Sequence, residues 1–163
     1  MNREEQFPLS HVISPRLVSL NMSFSDKQEA IKKLTELLYA NGNINDKQLF
    51  LRDVYLREEE GSTCIGQGVA IPHGKSEAVV KTAVAIGVAQ NTIPWEGAEA
   101  EEQEVNIVIL FAVQNADANT KHILMLQQIA ILLADDAFIT GLHNVESREE
   151  VIELVQSFKS GTH

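Results

Sequence analysis

Only one cysteine, Cys64, occurs in the 163 residues. That excludes an internal disulfide and suits a reducing compartment. Its hydroxyl and apolar neighbours give the thiol no cationic activation, so it is expected to be buried and inert. Long apolar runs are also missing. The longest strand-like run covers residues 105–113, and Gln127 and Gln128 interrupt the next one, so nothing approaches the roughly 18 residues of a membrane span. Basic residues are scarce: 13 Lys and Arg stand against 23 Asp and Glu, a net charge of −10. Without a Lys/Arg cluster to neutralise phosphates, nucleic acid is disfavoured as a partner, and a small solute or a basic protein fits better. The spacing of the five histidines offers no zinc pattern. Neither a P-loop nor a Gly-x-Ser-x-Gly elbow occurs, so nucleotide-loop and serine-hydrolase chemistry have no support. No Pro/Gly/Ser-rich linker divides the chain. One α/β domain over residues 1–163 is expected, with 1–11 and 160–163 flexible; the polar, acidic opening MNREEQFPLS does not read as a signal peptide.

What is present centres on residues 65–74, IGQGVAIPHG. Gly66 and Gly68 permit positive φ or close backbone approach. Val69, Ala70 and Ile71 read as a short buried strand. Pro72 fixes its own φ and holds Ile71 extended. Gly74 leaves His73 with little steric cover, so an imidazole is expected bare at the end of a strand. A nucleophilic or proton-transferring histidine needs such a site; an ordinary strand-end turn accounts for the same spacing.

Around this segment, residues 16–20 read as a strand. Ser25 with Gln28 reads as a capping box opening a helix with Ile31, Leu34, Leu37 and Leu38 inside, closed by Gly42. Asn45 with Gln48 repeats the start signal for a second helix, buried through Leu49, Phe50, Val54 and Leu56 and stopped by Gly61. Residues 82–89 read as a strand and 90–104, with five glutamates, as a solvated acidic loop or hairpin crossing pinned by Trp95. Residues 105–113 suit a central strand buried on both faces. A long apolar helix is expected over 121–133, and Ser147 with Glu150 caps a final amphipathic one.

Three features are candidates beside His73. His122 falls in the first turn of the expected long helix, where unpaired N–H groups favour anions and keep an imidazole neutral; it equally serves to close the helix end. Arg57 falls near the end of the second helix, where it either pairs with the dipole and Glu58 to Glu60 or aims a guanidinium at a phosphoryl group. In the third, Gly66-Gln67-Gly68, backbone N–H groups of Gln67 and Gly68 would hold oxygens. His11 and His163 fall in the tails, and His143 in a surface connection.

IGQGVAIPHG resembles the phosphorylation-site signature of the fructose/mannitol-type (type 2) enzyme IIA domains of the bacterial phosphoenolpyruvate:sugar phosphotransferase system. Glu58 matches the acidic or amide residue that opens that signature, and NTKHILMLQQIAILL resembles the family's helix with a second histidine. The resemblance implies an α/β fold, a mixed β-sheet with helices on both faces. It implies that His73 accepts a phosphoryl group on Nε2, and that His122 and Arg57 stabilise it. It further implies phospho-HPr as donor, a cysteine of an enzyme IIB as acceptor and a membrane enzyme IIC downstream, in the cytoplasm, with no metal or cofactor. A regulatory relative, similar to the nitrogen-related enzyme IIA, shares the motif and acts by phosphorylation-dependent protein binding.

Overall fold

The computed structural model describes residues 13–61, 63–96, 102–114, 124, 127–128, 131–132 and 135–160. After a 3-10 turn at Pro15–Leu17, the elements are β1 (Val18–Met22), α1 (Lys27–Ala40), α2 (Lys47–Glu60), β2 (Cys64–Gly66), β3 (Val69–Ala70), β4 (His73–Ser76), β5 (Ala83–Glu96), β6 (Glu102–Gln114), α3 (Asp136–His143) and α4 (Arg148–Ser160). Leu124, Gln127, Gln128, Ile131 and Leu132 are helical, where the long apolar helix was expected.

The strands form one mixed sheet in the order β1-β5-β6-β3-β2, with β4 also paired to β6. β6 is central, and Val105 and residues 107–113 are all buried, as a doubly covered strand requires. Side chains alternate along it. Ile107, Ile109, Phe111 and Val113 join Phe138, Leu142, Val151 and Val155 from α3 and α4. Val108, Leu110 and Ala112 join Ile31, Leu34, Phe50 and Val54 from α1 and α2 on the other face. The α1/α2 face is built of small residues such as Ala70, Ala83 and Ala85, which lets both helices lie close.

β3 and β4 form one broken strand. Val69 and Ala70 pair with Ile107 and Val108, and His73 and Gly74 continue the register with Phe111 and Ala112. Pro72 has no N–H to offer the ladder, but its carbonyl still accepts from Phe111 N at 2.9 Å, while Ile71 N turns to Thr63 O at 3.0 Å. The expected strand over Val69–Ile71 is therefore shorter than its apolar run, and His73 opens the next strand.

The helix starts fall one residue later than the Ser25 and Asn45 readings. Asp26 accepts from Glu29 N and Asp46 from Leu49 N; the Glu29 carboxylate in turn accepts from Ser25 N, the residue before the cap, at 2.6 Å. That bond holds the Glu29 carboxyl below its ordinary value. Its contribution is present above the unfolded pKa and is lost as pH falls through the lowered folded one. Asp46→Ala should cost about 1 kcal/mol, seen as a thermal midpoint roughly 2–4 °C lower. Gly42 closes α1 at φ 81°, as expected. Leu56 departs from the expected stripe and is 49% exposed. The acidic stretch after 90 extends β5 and β6 into a hairpin, with Ile93 opposite Val105 and Trp95 opposite Gln103; Trp95 is fully buried, as the pinning role requires. Cys64 is half-buried on strand β2 rather than buried.

Candidate active site

His73 is not bare. Only 7% of it is exposed, and its ring stacks on Phe111, centroids 5.0 Å apart and planes 17° from parallel. The expectation of an uncrowded support fails because β4 is an inner partner of β6 and side chains alternate across the sheet. His73 therefore turns to the α3/α4 face beside Phe111, and Gly74 turns to the α1/α2 face. A Cβ at Gly74 would lie 2.7 Å from Phe50 Cζ and 2.8 Å from Val54 Cγ2. Gly74 is glycine so that α2 can rest on β4, not to uncover its neighbour. Within the ring, Nδ1 is shut off from solvent.

The structure brings the Arg57 end of α2 near this segment without joining guanidinium to imidazole. Arg57 Nη1 donates to Gly61 O at 3.0 Å, its hydrogen bond among the described residues. The next residue, Glu58, accepts a hydrogen bond from Thr63 Oγ1, and Thr63 O holds Ile71 N, two residues before His73. His122 lies outside the described residues, as do His11 and His163. Leu124, two positions after His122, packs against the core cluster that contains Phe111, the residue beneath His73.

Gly66-Gln67-Gly68 is a two-residue hairpin turn. Gln67 at φ 57° and Gly68 at φ 81° occupy its two central positions, the left-handed pair that joins twisted strands. The positive φ expected of Gly66 and Gly68 is present. The turn nevertheless stands five residues from His73 along an extended run, roughly 16 Å, so Gln67 and Gly68 are not at the imidazole. Gly68 O instead accepts from Asn106 N and Ile107 N. His143, at the end of α3, sets Nε2 3.0 Å from Gln67 O. It is surface-exposed as expected, but belongs to a helix that its sequence context had concealed. Two further features escaped sequence reasoning: the Phe111 stack, and a nearly buried ion pair of Lys27 with Glu58 at 3.0 Å. Glu58 stood out only as the first residue of the motif. No cluster of metal-binding side chains exists among the described residues, nor any helix long and apolar enough to cross a membrane.

The family model for the phosphoenolpyruvate-dependent sugar phosphotransferase system, EIIA 2, matches residues 11–158. The chain belongs to this family. It is 36% identical over 143 residues to the 2-O-alpha-mannosyl-D-glycerate-specific EIIABC component of Escherichia coli K12, covering 88% of this chain and 21% of that protein. The chain thus spans about a fifth of that relative. It is 29% identical to the nitrogen regulatory protein of Klebsiella oxytoca, over 95% of this chain and 94% of the other. In fold it follows the nitrogen regulatory protein IIA-Ntr from Neisseria meningitidis, with a TM-score of 0.80 at 23% identity over 90% of this chain and 97% of that one. Membership carries the family's general phosphoryl-transfer chemistry. These likenesses include sugar-specific and nitrogen-regulatory proteins alike, so the narrower fructose/mannitol assignment does not follow from them.

Proposed function

We propose that this enzyme IIA accepts a phosphoryl group on His73 Nε2 and passes it, or the signal it carries, to a partner protein. The supporting observation is the His73 ring itself. It sits in the family motif, fixed by the Phe111 stack and the Pro72 carbonyl bond, with Nδ1 sealed. In the step, the Nε2 lone pair attacks the phosphorus held on the donor's histidine. The new P–N bond forms as the donor's breaks, and nothing is oxidised or reduced. Such a transfer needs in-line approach and stabilisation of three equatorial oxygens. Arg57 commits one nitrogen to Gly61 O; its guanidinium has further donors for those oxygens. His122, two residues before the core-packed Leu124, is assigned the same task. Gln67 and Gly68 take no part.

Mixing the protein with phosphoenolpyruvate, enzyme I and HPr should produce an acid-labile phosphoryl group. Arg57→Lys should slow uptake roughly 100-fold. His122→Ala should take label yet transfer it poorly. Two outputs are compatible with the relay. The regulatory one, binding a protein in only one phosphorylation state, has the support of the Klebsiella relative over almost the full length of both chains. The sugar-uptake one has the support of the mannosylglycerate relative at higher identity. Adding an enzyme IIB domain separates them: label that leaves for an IIB cysteine within seconds supports uptake, and label that stays supports the regulatory output.

A further inference from the structure

We propose that Glu58 is a positioning residue for phosphoryl transfer: anchored by Lys27, its carboxylate fixes the loop that sets both Arg57 and the approach to His73. This rests on the reading of His73 as acceptor. The Glu58 side chain is 5% exposed and that of Lys27 15%. Removing two charges from water is costly, and well-packed apolar residues commonly replace such a pair without loss. Fold stability alone therefore gives weak grounds for this pair, and its connections supply a stronger one. Lys27 is the first residue of α1, Glu58 lies in the last turn of α2, and their heads meet at 3.0 Å. The Lys27 ammonium also stands 5.2 Å from the centroid of the buried Trp95 ring, so β5 holds the pair from below.

From the carboxylate, two short paths run to the candidate site. Glu58 Oε2 accepts from Thr63 Oγ1, and Thr63, itself buried, accepts Ile71 N through its carbonyl. That bond fixes the backbone two residues before His73 at the place where Pro72 breaks the ladder. In the other direction, Glu58 is the neighbour of Arg57, whose guanidinium closes onto Gly61 O between Glu58 and Thr63. Gly61 and Thr63, each held by a hydrogen bond, thus link the end of α2 to Ile71, two residues before His73. Loosening that link moves both Arg57 and His73, and a displacement of about 1 Å can slow a group transfer 100-fold.

Three variants test this. Thr63→Val keeps shape and carbonyl but removes the hydroxyl donor. Glu58→Gln keeps an acceptor for Thr63 but removes the charge facing Lys27. Lys27→Met with Glu58→Gln removes both charges, and so keeps the test open if Glu58→Gln alone fails to fold. Single-turnover uptake from phospho-HPr should fall about 30- to 100-fold in each folded variant, with the donor KM unchanged. The His73 ring nitrogen NMR signals should shift. The double variant should regain thermal stability relative to Glu58→Gln without regaining rate, which a purely structural role does not predict. Wild-type rates and unshifted His73 signals in Thr63→Val and the double variant would overturn the proposal while leaving His73 as acceptor. If the wild-type protein takes no label, the acceptor reading fails and overturns the positioning role with it.

Discussion

His73→Ala is expected to abolish acid-labile phosphoryl uptake from phospho-HPr, with residual labelling roughly a thousandth of wild type or less. The expectation is absolute because the reaction forms a bond to one atom, and alanine has no lone pair to replace Nε2. His143 is no substitute: it faces Gln67 O at the other end of the β3–β4 run. Removing a buried ring from above Phe111 leaves a cavity whose cost lowers stability, so His73→Gln, which fills more of that space, is the companion variant. It should melt closer to wild type and remain unlabelled. Full labelling of either protein refutes the assignment, and a mapped phosphohistidine elsewhere names the true acceptor.

The second large effect comes from a residue with no chemistry. Gly74→Ala should destabilise the fold by about 3 kcal/mol, because overpacking a well-filled core forces side chains off their rotamers or moves backbone. In a chain of this size that is a thermal midpoint roughly 6–12 °C lower. The new methyl would meet Phe50 and Val54, both fully buried and without room to retreat. What yields is the separation of α2 from β4. Since α2 carries Arg57 in its last turn, uptake of phosphate should fall more than the folded fraction does. Pairing Gly74→Ala with Phe50→Leu, which clears the contact, should restore part of both. A Gly74→Ala protein that melts like wild type would show that the helix does not rest on this strand in solution.

Much of this architecture was legible in the residues. Gly42 and Gly61 mark the ends of the first two helices, and Ser147 with Glu150 the start of the last, because capping depends on neighbours a few residues apart. The unbroken apolar run at 105–113 announces a strand covered on both sides. The one-residue error at both helix starts has a local cause. Ser25-Asp26 and Asn45-Asp46 each offer two adjacent acceptors, and the entry path of the chain selects the aspartate. The acidic stretch after 90 looked like loop because Pro94 and glutamates disfavour strands, yet Pro94 sits in a pair with Glu104 near the hairpin tip, where the ladder tolerates it. α3 went unread because eight residues containing Thr140 and Gly141 carry little helical signal. For the candidate site, the motif pointed to His73, but its cover could not be read. That cover depends on a register between strands distant in sequence, which puts Phe111 rather than solvent against the ring.

Consecutive residues of one strand serve opposite layers, so the sheet works as a bulkhead. A substitution on the α3/α4 side is felt by the imidazole through Phe111, and one on the α1/α2 side by Gly74 through Phe50 and Val54. Substitutions confined to opposite layers should therefore come close to adding in their effect on stability.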